Sequence, residues 1–242
     1  MIIKEIHSKT ILSPSKIYPY VINPYTGCQH NCLYCYARFM KKYTGHEEPW
    51  GQFVDVKINA PDLLMREVVK KKIGTIWISG VCDPYQPLEE KYKLTRKCLE
   101  ILVEHNWPVV IQTRSSLVLR DMDILMKGKS LEAGLSITTA DDNIRKLFEP
   151  NAPSIEERIN TLDELHKVGI RTYAMIAPML PKAEELAEML DGKVDYVLFD
   201  RMNYHYADWV YQKYNLLDKL TDDYFYRTKK NLSFAFVKLG IS

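Results

Sequence analysis

The 242-residue chain has little in it that would lodge it in a membrane or break it into pieces. Its longest apolar runs fall well short of the roughly 20 residues that a spanning helix needs. No Pro/Gly/Ser-rich stretch divides it, and no signal segment opens it, so one domain over 1–242 in a cytoplasmic setting is the expectation. Neither sign of charge prevails: 33 Lys and Arg stand against 31 Asp and Glu, a net charge of +2. Bulk charge therefore does not require a polyanionic partner, although a local patch could still bind one. Cysteine is the most telling shortage. There are five, and three of them fall within eight residues with no fourth nearby.

Those three stand in Asn23-Pro24-Tyr25-Thr26-Gly27-Cys28-Gln29-His30-Asn31-Cys32-Leu33-Tyr34-Cys35-Tyr36-Ala37-Arg38, a C-x3-C-x2-C pattern. Three thiolates so close can hold an iron–sulfur cube and leave one iron open to a small molecule. A zinc ion could use the same cysteines with His30 or His46, but structural zinc draws on two separated ligand pairs, and no second C-x2-C or H-x3-H follows. A disulfide with one spare thiol suits neither an odd cysteine count nor a reducing compartment. Tight clustering favours the iron–sulfur cluster. Cys98 lies on an apolar helix face with Leu94, Ile101 and Leu102 and reads as a small buried hydrophobe.

The pattern around this loop is β/α throughout. Residues 1–22 read as an extended lead-in, and Tyr36 to Met40 start a helix stopped by Gly45. Apolar runs at Phe53–Ile58, Gly74–Ser79, Val109–Thr113, Ala133–Thr138, Arg171–Ala177 and Tyr196–Phe199 predict six strands. Helices are expected between them, including one opened by the capping box Ser154-Ile155-Glu156-Glu157, and two more to close the chain over 204–242. Near-continuous apolar strands alternating with helices imply a parallel sheet, and six units imply an open (β/α)6 partial barrel over 23–203. In such folds chemistry gathers at the C-terminal strand ends.

The cysteine loop resembles that of the radical S-adenosylmethionine (radical SAM) superfamily. Further stretches narrow the resemblance: Ser79 to Glu89, Gln112 to Ser116 with Leu119-Arg120-Asp121, Ser136 to Thr139, Phe148 to Pro153 with Arg158, and Ile176 to Pro181. They are similar to the DNA-repair-photolyase-like group, which is related to spore photoproduct lyase, over roughly residues 20–205. The resemblance implies that Cys28, Cys32 and Cys35 ligate a [4Fe–4S] cluster whose open iron takes SAM. It places Tyr34 near the adenine, Ser79, Gly80 and Asp83 against the SAM amino group, and Arg114 and Ser136 against its carboxylate or ribose. Ser79-Gly80 departs from the usual glycine pair. It further implies reductive cleavage of SAM to a 5′-deoxyadenosyl radical that abstracts a substrate hydrogen. Cys82 would return a hydrogen, and Tyr36 would relay the radical. Glu149 and Arg158 are expected to pair with each other.

Three function classes follow. One is a lyase-like radical SAM enzyme acting on damaged DNA; another is a radical SAM enzyme acting on a tRNA, peptide or small metabolite; the last is a non-enzymatic Fe–S or zinc module. Aromatics interleaved with cations over 204–230 could stack bases, yet two closing helices with half-buried tyrosines explain them as well. The expected partners are a reductant such as a ferredoxin or flavodoxin and, for the first class, nucleic acid. A monomer without membrane contact is expected.

Overall fold

Short runs rich in Val, Ile and Tyr, cut off by Gly, Pro and Asn, become the strands of the chain. The computed structural model describes residues 1–241. The strands are β1 (Ile2–Ile6), β2 (Ser13–Pro14), β3 (Tyr20–Ile22), β4 (Tyr25–Thr26), β5 (Phe53–Lys57), β6 (Ile76–Ile78), β7 (Val109–Thr113), β8 (Leu131–Ser136), β9 (Arg171–Ile176) and β10 (Tyr196–Phe199). The fold gathers into two compact units. One holds Met1–Asn31 with Ala37–Ala133, and the other holds Cys32–Tyr36 with the chain from Gly134 onward.

In the first unit the strands lie in the order β2-β3-β6-β7. β3, β6 and β7 run parallel, with Val21 opposite Trp77 and Trp77 opposite Val110, and β2 is antiparallel to β3. All of β7 except Gln112 is buried, as expected of a strand covered on both faces. Helices Ala60–Val68 and Leu94–Glu104 pack on each other. The second buries Leu94, Cys98, Leu99, Ile101 and Leu102, each such side chain contributing about 1.5–3 kcal/mol for an aliphatic. Cys98 is indeed a core residue, and burial pushes its thiol up.

One sequence expectation is corrected here. Phe53–Ile58 does form a strand, but β5 pairs with β1 and β4 in a separate three-stranded sheet, order β1-β5-β4. The extended lead-in carries β1, β2 and β3, and it is β3 that lies beside β6 in the larger sheet. Alternation alone cannot say which sheet a strand joins.

In the second unit the order is β8-β9-β10, with β9 and β10 parallel. Gly134 on β8 is needed for packing: a Cβ there would fall 2.2 Å from the Tyr173 ring, which in turn stacks on Tyr196. Helix Ile155–Lys167 starts as its capping box predicts, with Ser154 Oγ accepting from Glu157 N at 3.1 Å. Gly169, at φ +81°, ends it. Helix Asp222–Lys238 buries Tyr224, Thr228, Leu232 and Phe236, four positions at helical spacing. Among the described residues no helix is long and apolar enough to cross a membrane.

Candidate cofactor and radical site

The cysteine loop leaves the end of β4 at Gly27. Its φ is +92°, and a Cβ there would lie 2.3 Å from the Phe53 carbonyl oxygen, so only glycine fits. Gly27, Gln29 and His30 are fastened to the segment Asp83–Leu88. Gln86 Nε2 donates to Gly27 O (3.3 Å), Gln29 N donates to Gln86 Oε1 (3.0 Å), and Leu88 N donates to Gln29 Oε1 (2.6 Å). His30, buried, sets Nε2 3.3 Å from Asp83 Oδ2.

Asp83 is the centre of that segment. Its carboxylate accepts from Tyr85 N (2.9 Å), Thr113 Oγ1 (2.5 Å) and Arg114 N (2.8 Å). Burial alone would raise its pKa, but His30, Thr113 and Arg114 outweigh burial and hold it at about 2. The carboxylate expected to face the SAM amino group also joins the cysteine loop to the end of β7. Arg114 contributes its backbone here as well as its guanidinium at the strand end.

Ser79, Gly80 and Cys82 follow β6 directly. Asn23 Oδ1 accepts from both Gly80 N (2.8 Å) and Val81 N (3.0 Å), which pins the turn. Lys57 Nζ donates to Asn23 O at 2.8 Å, and burial holds its ammonium below the usual lysine range. The Ser79 hydroxyl is buried with no oxygen or nitrogen partner. Burial pushes the Cys82 thiol up to about 11, against the downward pull of the Ser79 side chain and the Lys57 ammonium. Cys82 also packs beside Tyr25, Val54, Val56, Leu88 and Leu94.

In the second unit the loop's later half meets the end of helix Asp142–Phe148. Leu33 N donates to Phe148 O at 2.8 Å, and the Tyr34 hydroxyl donates to Glu149 Oε1. Glu149 also accepts from Thr138 Oγ1 (3.0 Å) and pairs with Arg158, the pairing expected from the sequence. Arg158 Nη1 continues to the Ser136 carbonyl at 2.8 Å. Tyr34 and Ser136 are thereby joined through one buried ion pair. Tyr34 packs with Cys32, Phe148, Leu180, Ala207, Val210 and Tyr211, so its ring has a core role whatever else it touches. Tyr36 is 40% exposed and stacks on Tyr204 (6.4 Å between centroids), which stacks on Tyr206 (5.7 Å).

Sequence reasoning missed the fasteners Asn23, Gln29, Gln86 and Thr113. Asn23 and Gln86 stood inside the resembling stretches, and a polar side chain within a Pro-rich, tightly turned segment was the available signal. Among the described residues no three His, Cys, Asp or Glu side chains gather as a single bound metal ion would require.

Comparison with known proteins bears on the family and the fold. An uncharacterised protein of Methanocaldococcus jannaschii is 40% identical over 211 residues, which cover 85% of this chain and 76% of that one. A radical SAM Nα-GlyT isomerase of Pseudomonas phage M6 is 26% identical over 161 residues, 65% of this chain and 32% of that protein. Among solved structures, spore photoproduct lyase complexed with dinucleoside spore photoproduct aligns with a TM-score of 0.73 at 16% identity, covering 98% of this chain and 79% of the other. That likeness establishes a shared fold, the partial barrel of the radical SAM type. The description of the radical SAM superfamily matches residues 22–192, most of the chain. The protein therefore belongs to the radical SAM superfamily, whose members work with a [4Fe–4S] cluster and S-adenosylmethionine.

Proposed function

We propose that this radical SAM enzyme holds its cluster through Cys28, Cys32 and Cys35 and acts, lyase-like, on damaged DNA, with Cys82 as hydrogen donor. The donor set suits the cluster: a cube takes three thiolates at separate corners, which C-x3-C-x2-C supplies, and Gly27 allows the loop its close approach to β5. The buried Ser79 hydroxyl, which among the described residues has no oxygen or nitrogen partner, suits a polar ligand at the end of β6. When bound, the cluster and SAM together supply one-electron cleavage of a carbon–sulfur bond and, with it, a hydrogen-abstracting radical.

The chain's own residues then have distinct tasks. Asp83, Gln86 and Gln29 position the cysteine loop, and Glu149 with Arg158 positions Tyr34. Ser79, Gly80, Arg114 and Ser136 are the polar groups offered to SAM. Tyr36 relays an unpaired electron, its ring continuing into Tyr204. The observation behind the lyase reading is the position of Cys82: it follows the C-terminal end of β6 directly, beside Ser79 and Gly80, and burial keeps its S–H intact as a hydrogen donor.

Anaerobic reconstitution followed by deuterium tracing tests this. Cys82→Ala should still cleave SAM to 5′-deoxyadenosine while the product of a dinucleoside photoproduct substrate changes in identity or falls at least about tenfold, the scale of a lost proton- or hydrogen-transfer group. Unaltered product at the parent rate overturns the donor role. A tRNA, peptide or small metabolite remains the second reading, favoured by the net charge of only +2.

A further inference from the structure

A cluster enzyme of this kind must receive electrons one at a time from outside, and the chain displays a surface suited to the donor directly after its third cysteine. Residues Tyr36–Tyr43 form a 3₁₀ helix with no acidic residue in its first turn and Lys41 and Lys42 in its last. In such a helix side chains three apart eclipse each other. Tyr36, Phe39 and Lys42 therefore share one ridge, Arg38 and Lys41 a second, and Ala37, Met40 and Tyr43 a third, which is buried at Ala37 and emerges at Tyr43 at the helix end. Phe39 is 43% exposed and Tyr43 68%, and Lys42 Nζ lies 4.8 Å over the Tyr43 ring. Lys41 Nζ donates to the Glu47 carbonyl at 2.7 Å and lies within electrostatic reach of the Glu48 carboxylate, so Lys42 is the less compensated cation of the pair.

The surroundings make this face stand out. From Gly27 to His46 the sequence contains Arg38, Lys41 and Lys42 and not one Asp or Glu. The chain's positive balance also resides in the first unit, while the second has more acidic than basic residues. Aromatics and Arg amid cations are the composition of a protein-docking patch, and redox encounters use small patches steered by complementary charge.

We propose that the exposed face of helix Tyr36–Tyr43 is the docking surface for a small acidic electron-donor protein of the flavodoxin or ferredoxin type. The assignment rests on the cluster being held by Cys28, Cys32 and Cys35, since Cys35 abuts the helix. Phe39 and Tyr43 supply the apolar contact, and Arg38, Lys41 and Lys42 steer the acidic partner. Each encounter hands over one electron: the donor's cofactor is oxidised by one and the enzyme's cluster reduced by one.

The test compares two reductants on the anaerobically loaded protein in stopped flow. Reduced flavodoxin and dithionite are each mixed with the parent and with Lys42→Glu, Phe39→Ser, Tyr43→Ser and a distant exposed control, Lys70→Glu. Binding of oxidised flavodoxin to the same proteins is followed by its flavin fluorescence. The expected result is a loss of about tenfold in flavodoxin-driven reduction for Lys42→Glu, with weaker binding and a flatter salt dependence. Smaller losses are expected for the two aromatic variants, with no change for Lys70→Glu or with dithionite. Equal flavodoxin rates in all variants overturn the assignment, as does a parallel loss of single-stranded DNA binding with flavodoxin reduction intact, which would give the face to nucleic acid. If the anaerobically reconstituted parent holds no iron and sulfide, the cysteine assignment itself fails and this surface with it.

Discussion

At the residue scale, the carboxylate of Asp83 shows how one buried charge can organise a site. It accepts three donors and faces His30, and its pKa is held down from the ordinary 3.8 to about 2. A depressed folded pKa means stability that is present above 3.8 and lost as pH falls through about 2. Asp83→Asn should therefore cost about 2 kcal/mol near neutrality, and the gap from the parent should close as pH is lowered from about 4 to 2, measured by denaturant titration of both proteins. Cys82 follows the opposite sign. Its raised pKa keeps the sulfur protonated, so on the proposed donor role the product distribution should stay flat from about pH 6 to 9 and change only as the thiol ionises near 11. A profile that breaks at the ordinary thiol pKa would contradict this.

At the scale of elements, the two halves of the cysteine loop are held by different parts of the chain: residues 27–30 by Asp83–Leu88, and residues 33–34 by Phe148–Glu149. Glu149→Gln leaves the Arg158 guanidinium buried without its charge partner, which should cost about 3–5 kcal/mol. The double variant Glu149→Gln with Arg158→Met should recover part of that loss, read as the midpoint of thermal unfolding; strictly additive losses would argue that the pair is not coupled. The sequence made the cysteine loop, most strand positions and the Ser154 cap legible, because each is a local pattern. Partners distant along the chain were not legible. Gln29 and Gln86 lie 57 residues apart, and nothing in either neighbourhood names the other. The same limit applied to Phe53–Lys57: its alternation marked a strand, yet its pairing with β1 and β4 depends on the register of a stretch that carried little pattern of its own.

At the scale of the whole molecule, cofactor binding should appear as stability. SAM at a hundred times its dissociation constant should add about 2.7 kcal/mol to the cluster-loaded protein. On the proposed cysteine assignment, a Cys28→Ala, Cys32→Ala, Cys35→Ala triple variant should show almost none of that gain, because the residues that would hold the cluster are gone. An equal gain in both, by anaerobic thermal shift, would place SAM elsewhere. Charge adds a second constraint. With the basic residues in excess in the first unit and the acidic ones in the second, a polyanion and an acidic protein should both prefer the first, and their binding should weaken as salt rises.

The fasteners of the cysteine loop are amides, two carboxylates, an imidazole and a tyrosine hydroxyl, none of which depends on iron. Oxygen that strips the cube should then leave behind a nest still in shape, ready to be refilled from iron and sulfide without passing through an unfolded chain. A cell exposed to passing aeration could thus salvage the protein it already owns instead of synthesising it afresh.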